Sequence, residues 1–237
     1  LAAASSLVFD RHASVIVTLI GADQSLTMAT MRQLSMGANR AVLGEEIIQF
    51  AVAEPLGGAR WRLSGLWRGR GGTEAAIAGH VTGEVFVLLD GTGTLLNPEL
   101  VGTVPGSVIA AIGLGDAEPV TAPIRLRGIG LRPLAPVHGS CRILANGDRA
   151  ISWVRRARGA WLWSDGVDVP LNEQSEAYDV TFGTASATTA RWDLTTPGLT
   201  LSATQVAALL STNPTGRFAI RQRGDRAASL PLDVALI

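Results

Sequence analysis

A chain of 237 residues with 20 basic and 20 acidic side chains carries a formal net charge of zero, so no global field steers it to nucleic acid or to an anionic membrane surface. All 20 basic residues are arginine, which excludes Schiff-base chemistry and a phosphate-cradling loop that ends in lysine. Cys141 is alone, so neither an intrachain disulfide nor a thiolate zinc site can form, and no run reaches the ~18 apolar residues of a membrane helix.

Leu1-Ala2-Ala3-Ala4 has neither the basic start nor the long apolar stretch of a signal peptide. With no initiating Met, the chain reads as part of something longer. The apolar, β-branched runs Leu7 to Phe9 and Val15 to Ile20 predict two short strands. Leu26 to Leu34 fits a strand followed by one helical turn ending near Gly37, where glycine tolerates a left-handed cap. In Glu46 to Ala53, apolar Ile48, Phe50 and Val52 oppose Gln49, which predicts a strand with one buried face. Gly57-Gly58 turns it back into Arg60 to Leu66. Arg68-Gly69-Arg70-Gly71-Gly72 is expected to break the strand pattern, because each glycine adds chain entropy and packs nothing. Thr73 before Glu74 to Ala78 reads as a capped helical turn. Gly83 to Asp90, Val108 to Ile112 and Ile124 to Ile129 continue as strands.

Leu131-Arg132-Pro133-Leu134-Ala135-Pro136 is the expected linker, since two prolines remove ladder donors and favour extended chain. The predicted domains are therefore 1–132 and 133–237. In the second, strand-like runs recur at the spacing of a small sandwich: Ser140 to Leu144, Ala150 to Arg155, Ala177 to Phe182, Arg191 to Leu194, Arg217 to Arg221 and Leu232 to Ile237. Asn146-Gly147 is a hairpin signal. Ser202-Ala203-Thr204-Gln205 has capping-box form, which predicts a helix from Ala203 to Leu210. The fold class is mostly β, with two β-sandwich or β-barrel-like domains in tandem.

No residue set carries recognisable catalysis. His12, His80 and His138 are far apart and read as surface or turn histidines. No Gly-x-Ser-x-Gly elbow occurs, and the Gly69 and Gly91 glycine pairs read as turns rather than a dinucleotide site. Asp165-Gly166-Val167-Asp168 with Glu173 and Glu176 reads as a hairpin turn with acidic neighbours, calcium being the alternative. Trp153 is expected in the core, as is Cys141 in a core or strand position. Arg155-Arg156-Ala157-Arg158 reads as a solvated strand end, while Trp161 and Trp163 are expected to be partly exposed. Trp61, Trp67, Arg68, Arg70, Trp161 and Trp163 are the candidate partner or glycan contacts, aromatic faces and guanidinium groups being what sugar platforms use. No cofactor, metal or catalytic residue is expected.

The ordered segments Gly37 to Ala51, Leu63-Ser64-Gly65-Leu66-Trp67-Arg68-Gly69-Arg70-Gly71-Gly72-Thr73-Glu74, His80, and Phe86-Val87-Leu88-Leu89-Asp90 resemble the large tail-tip, or host-specificity, proteins of tailed phages and gene transfer agents. Ile151 to Arg158, Trp163, Asp165 to Leu171 and Glu176 to Val180 are similar in order to the C-terminal, fibronectin-type-III-like part of the same proteins. The resemblance implies a structural protein of the virion, assembled in the bacterial cytoplasm and placed at the tail tip or baseplate. It also implies a homotrimer around the tail axis, with other tail and baseplate proteins and a host cell-envelope component as partners. Members of that family are much longer, and their parts resembling a TIM barrel have no counterpart here, so no enzymatic role carries over. The alternative is a carbohydrate-binding module that recognises host surface glycans.

Overall fold

Period-two alternation of apolar and polar side chains sets most of the strands, and the computed structural model describes residues 1–21, 23–91, 106–124, 128–158, 168–184 and 186–236. The chain is mostly β and divides into two units, Leu1–Arg125 and Leu126–Ile237.

In unit 1, strands β1 (Asp10–Thr18), β2 (Arg40–Leu43), β3 (Glu46–Gly57), β4 (Arg60–Arg70) and β5 (Phe86–Leu88) form one antiparallel sheet in the order β1-β4-β3-β2-β5. Strands β6 (Val108–Ala111) and β7 (Val120–Pro123) pair as a separate hairpin. The core packed on the large sheet buries Val17, Ala41, Leu43, Ile48, Phe50, Leu63 and Leu66, and each of the larger of these side chains contributes roughly 1.5–3 kcal/mol by leaving water. Helix α1 (Met31–Ser35) is the expected single turn. Thr30 and Gln33 close a reciprocal capping box at its start, and Gly37 follows its end with φ of 96°.

Among the strands of unit 1, expectations change at β1 and β4. The predicted pair of short strands before Gly21 is one nine-residue strand, β1. Its register shifts between Asp10 and Ser14, and the Asp10 carboxylate accepts the His12 and Ala13 N–H groups at 3.0 and 2.9 Å. Donors that the irregularity removes from the ladder are thereby satisfied within the strand. The second change is in β4, which runs through Arg68 and Gly69 to Arg70. Ile47 pairs with Arg70 and Gln49 with Trp67, so Arg68 and Gly69 together oppose the single residue Ile48. This is a β-bulge, and the φ of +61° at Gly69 is why it needs glycine.

In unit 2, β8 (Val137–Ile143), β9 (Arg149–Val154) and β12 (Gly198–Leu201) form one sheet in the order β12-β9-β8. Strands β10 (Tyr178–Thr184), β11 (Ala187–Leu194), β13 (Arg217–Gln222) and β14 (Leu232–Ala235) form the other in the order β11-β10-β13-β14. The first, second and fifth strands thus face the fourth, third, sixth and seventh, which is a fibronectin-type-III-like sandwich. Trp153, Tyr178, Val180, Phe182, Phe218 and Ile220 fill the interior. The Trp153 and Tyr178 rings meet edge-on with centroids 5.2 Å apart, as suits their quadrupoles. Helix α2 (Ala203–Thr212) lies between β12 and β13 and starts on the expected Ser202/Gln205 capping box.

Leu131 to Pro136 is no open linker. Pro133 and Pro136 are buried, a short 3-10 turn spans Ile129–Leu131, and Pro133 packs close to Gly224 of unit 2. The expected strand Ile124 to Ile129 lies partly outside the described residues.

Candidate functional site

The bulge gives β4 different chemistry on its two faces. In an uninterrupted strand the side chains of residues 67 and 70 point to opposite sides of the sheet. One extra residue at Arg68–Gly69 brings them to the same side, and the Arg70 guanidinium carbon lies 5.2 Å from the centre of the Trp67 ring. Phe9 meets the other flank of Trp67 edge-on at 5.9 Å. Arg70 donates through Nε to Gln49 Oε1 at 3.1 Å. Gln49 is itself oriented, because its Nε2 donates to the carbonyls of Leu34 and Ala38 at 2.8 and 2.7 Å, leaving its oxygen for Arg70. Trp67 and Arg70 are half-buried. They form a pre-set aromatic and cationic patch, which presents contact area with little side-chain entropy left to lose.

On the opposite face Arg68 is completely buried. It donates Nε to Glu46 Oε1 at 2.9 Å and Nη2 to Glu46 Oε2 at 2.8 Å, a bidentate pair. Two of its remaining hydrogens go to the carbonyls of Ile77 and Ala2 at 3.1 and 3.0 Å. Glu46, also without exposed surface, accepts the Gly69 N–H at 2.5 Å as well. His80 lies between two carboxylates, with Nε2 2.6 Å from Glu46 Oε2 and Nδ1 2.6 Å from Glu84 Oε2. Which of the two ring nitrogens donates in each contact depends on the tautomer. The His80 hydrogen bond is the main reason the Glu84 carboxyl is held below its ordinary range.

This cluster ties β3, β4, the turn at Glu74–Ala76, the 80–84 loop and the segment at Ala2 into one node. Reactive groups are present, but they are consumed by one another and closed to solvent. Among the described residues no three ionisable groups are arranged to hold a metal ion.

Several expectations are corrected here. Arg68, expected at a partner or glycan contact, is interior, because the bulge turns it away from the surface. His80, expected on the surface, has a side chain only 2% exposed, because two carboxylates and the sheet enclose it. Trp61 packs half-buried against the unit 1 core rather than standing free. Trp67 and Arg70 share a partly open face. Trp161, Trp163 and the Asp165-Gly166-Val167 turn lie outside the described residues.

Glu46, His80 and Glu84 were not selected from sequence. Glu46 had a signal: it shares strand parity with Ile48 and Phe50, and a carboxylate on an apolar face requires a buried cation.

In unit 2 the arginine run after β9 is paired rather than solvated. Arg155 donates to Asp168 Oδ2 at 2.7 Å, Arg156 to the Ala135 carbonyl at 2.7 Å and Arg158 to Glu173 Oε1 at 2.7 Å. Of the acidic residues considered as calcium ligands, Asp168 and Glu173 thus serve as arginine partners, and Arg155 holds the Asp168 carboxyl below its usual range. Trp153 is in the core, 3% exposed. Cys141 is half-buried on β8, its thiol pushed up by burial. Burial also raises the Tyr178 hydroxyl, with Glu176, which accepts its hydrogen at 2.7 Å, adding to the shift.

Residues 1–87 match the family described as Rcc01698-like, C-terminal, a family associated with gene transfer agents of the Rhodobacter type. The match spans 87 of the 237 residues and includes the bulged strand and the buried node. No curated protein matches the chain. Among solved structures, the extracellular region of rat CD45, domains d3–d4, is similar at 8% identity with a TM-score of 0.31, over 60% of this chain and 71% of that one.

Proposed function

We propose that the chain is a structural component of a phage or gene-transfer-agent tail tip or baseplate, contributing to tail assembly, host-envelope attachment and DNA delivery. The observation that carries this reading is the family match over residues 1–87, which falls on the segments Gly37 to Ala51 and Leu63 to Glu74 that resemble tail-tip proteins. The geometry agrees in kind. The ionisable groups of unit 1 converge on one another inside the sheet, as in a rigid part, while Trp67 and Arg70 offer a pre-set contact face. In this reading the chain catalyses nothing, sits at the tail tip of the virion, and packs as a homotrimer against other baseplate proteins.

Electron microscopy of intact particles tests it. Density for the chain at the tail tip, or labelling there by an antibody raised against unit 2, supports the assignment. Density anywhere else in the particle, or particles that lack the chain, overturns it. Trp67→Ala is expected to leave the purified chain folded and to lower the yield of complete tails.

A further inference from the structure

The outer face of the β11-β10-β13-β14 sheet holds a groove of about 610 Å³. Alternation along these strands sends Val180, Phe182, Phe218 and Ile220 into the sandwich and leaves Thr181, Gly183, Arg217 and Ala219 on the outside. The groove exists because its floor is Gly183 and Ala219. Gly183 is required by the backbone: a Cβ there would stand 2.1 Å from the Ala187 carbonyl oxygen, where β10 and β11 shift register.

Charge on this face is paired nearly everywhere. Arg191 meets Asp179 at 2.9 Å and Arg223 meets Asp193 at 3.1 Å, while Arg221 donates to the Ser229 carbonyl at 3.0 Å. At the groove the pattern stops. Arg217 and Asp233 both line it, and among the described residues neither side chain makes a hydrogen bond or ion pair. Asp233 pairs in register with Ala219 and Arg217 with Ala235, so the two charges are diagonal neighbours, about 7–8 Å apart between backbones. The Thr188 hydroxyl lines the same wall.

We infer that this groove binds an acidic saccharide, a uronic-acid unit of a polysaccharide. The guanidinium of Arg217 matches a carboxylate in bidentate fashion. The Asp233 carboxylate, one sugar ring away, accepts two vicinal hydroxyls, and the threonine hydroxyls both donate and accept. The small floor admits the ring. A phosphate-rich ligand fits less well, since Asp233 repels a dianion beside the single Arg217. The inference does not depend on the tail-tip reading: it is measured on the purified chain, and particle position is measured on the virion.

The test is titration of the 237-residue chain with an oligogalacturonate and, separately, with a neutral maltooligosaccharide, followed by amide NMR shifts and calorimetry. The uronate is expected to bind saturably and to shift Thr181, Thr188 and Arg217, with the neutral sugar at least about tenfold weaker. Arg217→Gln is expected to remove most of that preference, and Asp233→Asn to weaken both sugars. Arg191→Gln, on the same face but outside the groove, serves as the charge control and should bind as the parent does. The proposal is overturned by absence of uronate binding at about 1 mM, by equal binding of both sugars, or by an Arg191→Gln loss equal to that of Arg217→Gln.

Discussion

The interior of unit 1 contains Glu46, Gln49 and Arg68 with no exposed surface, whereas the sandwich of unit 2 closes over Tyr178, Phe182 and Phe218. Both are buried interiors of antiparallel sheets, but they respond to damage in different ways. Aromatic packing is non-directional and loses energy in proportion to the atoms removed. A buried ion cluster is directional: each member is tolerable only while the others stay in place, because an uncompensated charge in the interior costs far more than the pair contributes. Unit 1 should therefore fail abruptly when one group is lost, and unit 2 gradually.

The largest effect expected from this contrast is Glu46→Ala. It leaves Arg68 as a buried cation without its carboxylate, takes one hydrogen-bond partner from His80 and orphans the Gly69 N–H, at a cost of about 3–5 kcal/mol. Hydrogen exchange read by mass spectrometry would locate the loss in unit 1. The double change Glu46→Leu with Arg68→Met should recover much of it, and equal losses in the two variants would break the distinction drawn here. Phe182→Ala, in contact with Phe218 at a ring separation of 5.1 Å, is expected to cost about 3 kcal/mol, confined to unit 2 and shallower in onset.

Acid probes the node of unit 1 at one contact. Glu84 has an ordinary carboxyl value of 4.5, and its folded value is lowered, chiefly by the His80 hydrogen bond. A depressed carboxyl contributes stability that is present above its unfolded value and disappears as pH falls through the folded one. Exchange in the 80–84 loop and in β3 is therefore expected to accelerate in acid below that ordinary value, and Glu84→Gln to remove the step. Ser202→Ala, which deletes one half of the α2 capping box, should cost about 1 kcal/mol in unit 2. Smallest of all is Arg62→Ala. Its bond to Glu54 joins side chains 44% and 54% exposed, and loss within about 0.5 kcal/mol is expected in thermal melts.

Most of this architecture was legible in local pattern. Alternation marked β3, β9, β10 and β13, and capping residues marked both helices, because those signals arise within a few residues of chain. Strand β12 was missed: Gly198–Leu201 is four residues long and too brief to show a period. Thr73 precedes the turn at Glu74–Ala76 as expected, but its side chain makes no cap bond; its hydroxyl instead accepts the Ile47 N–H at 2.9 Å, a contact across 26 positions. The site was less legible for the same reason. That Arg68 turns inward and Arg70 outward depends on a bulge set by pairing with β3, and Glu46 reaches His80 only after the sheet has formed. The resemblance pointed to the right stretch of chain, while the roles of its residues waited on register.

Cys141 turns one detail of unit 2 into a reporter. Its sulfur lies 3.7 Å from the Leu236 carbonyl, under the residue that follows β14, and it is the chain's sole thiol. Cys141 is half-buried, so a maleimide or disulfide reagent gains access to it as that contact opens. The rate of alkylation is thus a clock for the opening of the sandwich, read at one atom without any engineered label.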